Sequence, residues 1–236
     1  MCGAYGLSVK TIKDIIYRFD IEIENENIED FKPRWNIRPG QSNPVIINRG
    51  KNQIEMMHWG LLPHFAHDEH YKHKPINARA ETVEELPTFR HPFHHTRCLI
   101  PFTGFYEPDK IHFSKNPFLW HYFPMKDHSI CAFAGLYDIW EDKNGGNEIR
   151  SCTIITTVPN TIVGRYHDRM PAVLKKEDED TWLNPDIEAQ QLLTLLKPFN
   201  AEKMEEWEVG VAARNPVNDY PEIITPIKSR RQETLF

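Results

Sequence analysis

The segment RCLIPFTGFYE, residues 97–107, is rich in apolar, aromatic and β-branched side chains, and this composition is typical of a buried β-strand. Polar or glycine-rich turns such as DKNGGN separate it from other segments of the same kind. Several strands are therefore expected to share one core. The segments that predict strands are 97–106, 117–123, 129–140 and 150–157, together with a hairpin of PVIINR (44–49) and QIEMMHW (53–59).

Two segments have the apolar spacing of an amphipathic helix. Residues 8–19 place four apolar side chains on one face, and Ser8 stands where an N-cap residue would. Residues 175–198 open with acidic side chains and continue with a leucine-rich face until Pro198. The chain lacks the regular strand–helix alternation of a doubly wound sheet. The predicted class is α+β, with a β-rich, barrel-like core of mixed or antiparallel strands flanked by a few helices.

The length and composition favour one globular unit. The chain has 236 residues, 40% of them hydrophobic, which is enough to bury one core. We expect a single domain over residues 1–236, with its motifs between 2 and 226 and a C-terminal tail at 227–236. No apolar run is long enough for a membrane span, and no signal-peptide pattern is present. The expected location is cytoplasmic and nucleoid-associated, with no membrane partner.

The charge balance limits how the chain could contact nucleic acid. The formal net charge is -6 at pH 7, which argues against bulk electrostatic coating of DNA, so any contact must use a local basic groove. The four cysteines show no C-x-x-C pair, and we expect reduced thiols. Without a glycine-rich phosphate loop or a zinc-ribbon spacing, the sequence predicts no cofactor and no metal.

Cys2 gains a specific reactivity if Met1 is removed. Aminopeptidases tend to remove the initiator methionine when the next side chain is small. The new α-amine would have a pKa of about 7.7 to 8.0 beside a thiol of about 8.5, so both have reactive fractions near neutral pH. Such a 1,2-aminothiol captures an aldehyde as a Schiff base, which the thiol closes to a five-membered thiazolidine. By its position alone, Cys2 could equally be a small residue near a flexible terminus.

Five motifs give the position of Cys2 a context. They are WNIRPGQ (35–41), HWGLLP (58–63), INARAET (76–82), RCLIPFTGFYE (97–107) and HDRMPAVL (167–174). They occur in this order between Cys2 and residue 226, and together they make the chain resemble the SRAP (SOS response-associated peptidase) family of abasic-site processing proteins. The resemblance implies a monomer that captures abasic sites in single-stranded DNA, including junctions with duplex, through a thiazolidine crosslink. The resemblance also implies associated AP-lyase and autopeptidase activities.

The resemblance implies four catalytic residues. Cys2 matches the family's nucleophile, and Asn36 matches the asparagine beside the abasic sugar. Glu107 matches a glutamate that moves protons during ring opening and imine formation, and His167 matches a histidine that exchanges a proton with the sugar ring oxygen. Without the resemblance, Asn36 could cap a turn before Pro39, Glu107 could be solvated, and His167 could be structural.

The resemblance also implies a DNA-binding set. Asn77 and Arg79 match positions that hold the DNA backbone, because an arginine presents a planar fork of donors to phosphate. Trp59 and Pro63 match an apolar surface on which bases stack, although Trp59 could equally be buried core. The weaker phosphate candidates, each of which could instead form a salt bridge, are Arg38, Arg165 and Arg169.

The match to the family is incomplete at two positions. The chain has Pro108 where members commonly have a tryptophan, and Phe65 where a tryptophan commonly follows the HWGLLP motif; the loop after Glu107 is therefore in doubt. The segment HFAHDEHYKH (64–73) has a histidine every third residue, which could form a metal site, but a surface loop is the favoured interpretation.

Three other classes of protein stay open at the level of sequence. Class II glutamine amidotransferases also begin with MCG, and their N-terminal cysteine attacks a glutamine amide. A thiol peptidase could use Cys2 with Glu107 and His167 as its acid and base. A non-covalent module that binds modified DNA would not depend on Cys2 at all.

Overall fold

The computed structural model describes residues 2–22, 31–112, 119–142 and 145–227. Met1 and the predicted tail beyond Ile227 lie outside the described residues, and so does the beginning of the strand predicted at 117–123. Within the described residues, no helix combines the length and the apolar character that crossing a membrane requires.

Helices and strands are mixed throughout the chain, and the predicted α+β class is confirmed. The helices of the described residues are α1 (Ile12–Arg18), α2 (Pro87–His95), α3 (Glu179–Leu183) and α4 (Ala189–Leu195). The strands are β1 (Tyr5–Leu7), β2 (Arg34–Ile37), β3 (Ser42–Asn48), β4 (Asn52–Trp59), β5 (Asn77–Arg79), β6 (Arg97–Phe102), β7 (Gly104–Pro108), β8 (Trp120–Pro124), β9 (Cys131–Glu141), β10 (Glu148–Thr157), β11 (Met170–Pro171), β12 (Val173–Leu174) and β13 (Trp207–Val209).

The strands form two sheets. One has the order β13-β8-β7-β1-β2, and its neighbours pair antiparallel. In the other, β10, β4, β3, β6 and β9 pair in turn, and β9 pairs with β10 again, so the ladder closes on itself. This ring is the barrel-like core. The parallel partners of β10 are β4 and then β5, which places β5 at the end of the ring where the candidate site lies.

The predicted hairpin is confirmed, because β3 and β4 pair antiparallel around a turn with Gly50 at φ 82°. Glycine adopts this left-handed conformation without steric cost. Aromatic side chains pack beside the closed ring of strands. The side chains of Phe102 and Phe133 stack with centroids 3.8 Å apart, and Tyr5 packs edge-on against Trp59. Because these large rings are buried, they contribute strongly to the hydrophobic stabilisation of the core.

The segment 97–106 forms two strands, so the prediction of one was wrong. β6 belongs to the ring and β7 to the other sheet, and the chain changes sheets at Thr103, whose N–H donates to the carbonyl of Gly6. Gly104 follows, where a Cβ would clash with Cζ and the hydroxyl oxygen of Tyr122. No larger residue fits there, and apolar periodicity alone does not reveal this crossing.

Both helix predictions need correction at their boundaries. α1 begins after Thr11, and Asp14 accepts a hydrogen bond from the Thr11 N–H at 2.9 Å, whereas Ser8 binds Thr103 instead of capping the helix. The segment 175–198 forms the two short helices α3 and α4. They are separate because Pro185 disfavours a helical conformation at Asn184, where α3 ends.

Candidate active site around Cys2

Cys2 is enclosed between the two sheets. Its side chain is fully buried, and its carbonyl accepts a hydrogen bond of 2.8 Å from the Asn77 amide on β5. Two residues later the chain enters the other sheet, where the Ala4 carbonyl accepts from the Tyr106 N–H at 3.0 Å. Hydrogen bonds from both sheets therefore fix the beginning of the described chain. One of them comes from Asn77, which was predicted to bind DNA.

Glu107 lies beside this segment because β7 pairs antiparallel with β1. Tyr5 is the register partner of Phe105, so Glu107 is level with the residues just before Ala4. The side chain is completely buried, contrary to the solvated alternative, and burial raises the pKa of its carboxyl to about 7. The carboxyl is thus a proton donor and acceptor poised near neutral pH.

His167 faces Glu107 from the other side of the site. Its Nε2 lies 3.6 Å from the Glu107 carboxylate, and its ring is buried. A turn holds the residue in place, since its N–H donates to the Val163 carbonyl and its Nδ1 accepts from the Arg169 N–H at 3.0 Å. Burial lowers the pKa of the imidazole to about 4. The same Nδ1 lies 3.0 Å from the Asp168 carboxylate, and Nε2 is the ring nitrogen that faces Glu107.

Glu107 and His167 form an acid–base pair whose usual order of pKa values is reversed. Between about pH 4 and 7 the carboxyl holds a proton and the imidazole is neutral. Low dielectric surroundings favour this uncharged arrangement. The pair can give a proton from Glu107 and receive one at His167 without creating a separated buried charge.

The Cys2 thiol is protonated in this environment. Burial is the largest cause that raises the pKa of the thiol well above its ordinary value, and the Glu107 carboxylate raises it further, while Arg38 acts in the opposite direction. A reactive thiol peptidase needs a thiolate of lowered pKa. The site therefore favours chemistry in which the sulfur acts after another group has reacted.

Replacing Glu107 by glutamine is expected to change how stability depends on pH. The folded-state pKa of about 7 lies above the ordinary value of 4.5, so the carboxyl binds its proton more tightly in the folded protein. Its contribution to stability is full below the ordinary value and is lost as pH rises through about 7. The free energy of unfolding of the wild type should therefore fall relative to Glu107→Gln across this range.

His167 has the opposite effect, because its lowered pKa makes its contribution grow as pH rises from about 4 to its ordinary value of 6.5. The pH dependences from Glu107 and His167 oppose each other in the wild type. The difference in free energy of unfolding between wild type and Glu107→Gln therefore isolates the contribution of the Glu107 carboxyl. Urea unfolding measured across this pH interval tests the expectation. Parallel stability curves for the two proteins would rule out a raised pKa at Glu107.

Asn36 is buried on β2, and its side-chain amide is committed to protein partners. Nδ2 donates to the carbonyls of Asn215 and Asn218 at 3.1 and 2.8 Å, with the Ala213 carbonyl at 3.4 Å, and Oδ1 accepts from Arg38 Nε at 2.7 Å. In this structure Asn36 holds the segment after β13 and orients Arg38. Its contact with an abasic sugar stays a prediction.

The predicted stacking surface at Trp59 and Pro63 is wrong. Trp59 is 1% exposed, packs against Tyr5, and donates from Nε1 to the Ile76 carbonyl at 2.8 Å. Pro63 is buried as well. No base can stack on rings that neighbouring side chains already cover, so these residues belong to the core.

The four arginines that were predicted to contact phosphate differ in how exposed their guanidinium groups are. Arg79 on β5 and Arg165 before His167 are exposed. Arg169 forms a bidentate ion pair with Glu81 at 2.6 and 2.9 Å, and Arg38 is half-buried over the Trp120 ring. Arg79 and Arg165 are therefore the ones whose guanidinium groups face solvent, and the salt-bridge alternative is the correct one for Arg169.

Two residues of the site were missed by sequence reasoning. The charge of Lys110 lowers the pKa of both Glu107 and His167, and His121 is the antiparallel register partner of Glu107 on β8. His121 stacks on Tyr166 with centroids 3.7 Å apart, and its Nδ1 lies 2.6 Å from Glu206. Only the pairing of β7 with β8 places His121 opposite Glu107, and no local motif signals it.

The fold and the site define a class: an α+β protein that encloses Cys2 with a buried carboxyl–imidazole pair at the junction of two sheets. The chain belongs to the SRAP family, since the model of that family, described as SOS response associated peptidase (SRAP), matches residues 1–216. The resemblance predicted from the motifs is confirmed.

Relatives and solved structures agree with this membership. The abasic site processing protein YoqW of Bacillus subtilis (strain 168) is 40% identical over 95% of this chain and 99% of its own. The abasic site processing protein HMCES of Gallus gallus is 27% identical over 84% of this chain and 67% of its own. A crystal structure of a Bacteroides thetaiotaomicron protein superposes with a TM-score of 0.84 at 30% identity, covering 96% of this chain and all of that one.

Proposed function

We propose that this chain captures abasic sites in single-stranded DNA by a covalent bond through Cys2, after removal of Met1. The observation that carries the proposal is the enclosure of Cys2 beside the buried Glu107–His167 pair. The relatives named abasic site processing proteins support the substrate class. We further propose that the protein acts as a monomer on DNA in the cytoplasm.

The proposed reaction begins with the ring-opened deoxyribose, whose C1′ is an aldehyde. The α-amine of Cys2 adds to C1′, and loss of one water gives an imine. The Cys2 sulfur then adds to the same carbon while its proton moves to the nitrogen, and a thiazolidine ring closes. The balance is one water released for each crosslink, with no oxidation or reduction.

Glu107 and His167 have complementary tasks in these steps. A protonated Glu107 can donate to the oxygen that leaves as water, because its raised pKa keeps it protonated up to about pH 7. A neutral His167 can accept the proton released on ring opening, since its pKa is lowered to about 4. The protonated state of the thiol fits this order, in which the amine reacts first and the sulfur second.

The same state of the thiol supports crosslinking over a thiol peptidase as the principal activity. A peptidase of that kind attacks with a thiolate, and burial together with Glu107 disfavours a thiolate here. The Schiff base also explains how a lyase-like reaction could accompany capture, because an imine at C1′ activates the adjacent carbon for elimination. We propose crosslinking as the main activity and strand cleavage as a side reaction.

Arg79 is expected to supply a phosphate contact next to the site. It is exposed on the same strand as Asn77, the residue that binds the Cys2 carbonyl. Replacing it by alanine should weaken binding of all single-stranded sequences alike. The slope of log K against log salt should also shrink by about 0.7, as loss of one contact to a single strand does.

The Arg79 measurement is a fluorescence-anisotropy titration of a labelled single strand at several salt concentrations. Lys197, an exposed cation outside the candidate set, provides the control variant Lys197→Ala. An unchanged salt slope in Arg79→Ala would remove Arg79 from the DNA interface.

The function itself is tested by mixing purified protein, processed at Met1, with a single strand that carries one abasic site. We expect a band of lower mobility that survives denaturing gel electrophoresis, and no such band with an intact strand or with glutamine as the only substrate. Reversible binding without a resistant band would support the non-covalent module, and hydrolysis of glutamine would support the amidotransferase class.

A further inference from the structure

A second cluster of chemistry-bearing side chains lies outside the candidate active site. It brings together His64 from the loop after β4, His91 from α2 and Asp138 from β9. One ligand atom of each of these residues lies within 4.8 Å of the others. Three elements that are far apart in sequence thus converge on one point.

The geometry around Asp138 is well defined. Its carboxylate is buried, and one oxygen accepts from the His64 N–H at 2.9 Å and lies 2.9 Å from His64 Nδ1. The His64 and His91 rings have centroids 4.8 Å apart, and both residues reach the surface. A buried anion is therefore faced by two imidazoles that remain open to solvent.

His95 adds a second, independent observation. It follows His91 by four residues on α2, and side chains at this spacing share one face of a helix. The two rings have centroids 4.9 Å apart. Two histidines spaced by one helical turn are a recurrent arrangement for zinc ligands.

We propose that His64, His91 and Asp138 bind a divalent transition-metal ion of the zinc type, with His95 or water completing the coordination. Imidazole nitrogen and carboxylate oxygen bind zinc at about 2.0 to 2.2 Å, so neighbouring ligand atoms of a tetrahedral site are roughly 3.3 Å apart. The observed separations are 4.8 Å or less, so side-chain rotations that bring the ligand atoms closer by up to about 1.5 Å would reach this geometry.

The site differs from the metal site that the histidine repeat could suggest. Of the residues repeated every third position in 64–73, only His64 joins the cluster. His67 pairs with Asp68 at 2.8 Å, and the side chain of His70 is 88% exposed. Sequence spacing pointed to neighbours along the chain, whereas the fold selects partners from a helix and a strand.

A bound ion would tie the loop after the HWGLLP motif to α2 and to the ring of strands. Such a link stabilises the folded protein because the complete ligand set exists only when the three elements are packed. The expected role is structural, and it is separate from capture of DNA at Cys2.

The test uses full-length protein without an affinity tag. Calorimetric titration with zinc should show one site per chain, and cobalt(II) should give the visible absorption of a tetrahedral site. In His91→Ala the zinc affinity should fall by at least about tenfold, the effect seen even when an outer partner of a zinc ligand is removed. Zinc should also raise the Tm of the wild type but not of this variant.

His70→Ala provides the matched control, since it removes an exposed histidine of the same loop that lies outside the cluster. It should bind zinc as the wild type does. Equal zinc affinity in wild type and His91→Ala, or no binding in either, would overturn the proposal. Adduct formation with abasic DNA should be the same in all three proteins, so failure of the metal site is distinguishable from failure of the proposed function.

Discussion

Replacing Cys2 by alanine is expected to abolish the denaturant-resistant adduct with abasic single-stranded DNA completely. The variant keeps an α-amine but has no sulfur to close the thiazolidine, so any Schiff base it forms is open to hydrolysis. Reversible affinity for DNA should stay close to that of the wild type, because the proposed phosphate contacts, such as that of Arg79, lie on other residues. Denaturing gels report the adduct, and anisotropy reports the affinity.

Two further variants sharpen this result. Cys131→Ala removes a partly exposed thiol from β9 and should leave adduct formation unchanged. Trapping with borohydride should recover a covalent product from Cys2→Ala, because reduction fixes the imine that the amine still forms. If Cys2→Ala gives as much resistant adduct as the wild type without reductant, the sulfur has no part in the crosslink.

Replacing Glu107 by glutamine is expected to slow adduct formation by about 10²–10⁴-fold, the usual contribution of a positioned acid or base. The amide has nearly the same shape but cannot transfer a proton. The wild-type rate should contain a component that falls as pH rises through about 7, where the carboxyl loses its proton. This component should be absent from the variant.

The measurement is the rate of band formation in single-turnover conditions across that pH interval. Glu148→Gln, an exposed carboxylate at the start of β10, is the control and should react like the wild type. A rate in Glu107→Gln within a factor of two of wild type would contradict a proton-transfer role for Glu107. Retention of the pH component in the variant would assign that component to another group.

Local sequence pattern predicted those parts of the fold that local chemistry controls. The hairpin of β3 and β4 follows from apolar strands around Gly50, and the α+β class follows from short strands with few helices. The pattern could not show that the chain changes sheets at Thr103, because this depends on where Gly6 and Tyr122 lie in space.

The sequence named three residues that the structure brings together, but it did not show the environment that surrounds them. The motifs pointed to Cys2, Glu107 and His167, while burial, which reverses the order of the Glu107 and His167 pKa values, depends on the packing of both sheets. The prediction that bases stack on Trp59 was wrong for the same reason, since a motif does not show which side of a strand faces the core.

The departures from the family pattern are accommodated locally. Pro108 ends β7 opposite Trp120, and Asp109 then accepts hydrogen bonds from the N–H groups of Ile111 and His112 at 3.0 and 2.8 Å. The backbone of Glu107 is thus in an ordinary strand despite the following proline. Phe65 is 45% exposed, so an aromatic surface persists next to His64 where the family commonly has tryptophan.

The most direct test of the central claim is peptide mapping of the adduct by mass spectrometry. Processed protein is crosslinked to an abasic single strand, the DNA and protein are digested, and the modified peptide is sequenced. We predict that the sugar remnant is found on the N-terminal peptide CGAYGLSVK, attached at Cys2, with the mass of one water lost. A remnant on a lysine, or the absence of any covalent product from protein shown to lack Met1, would contradict the account.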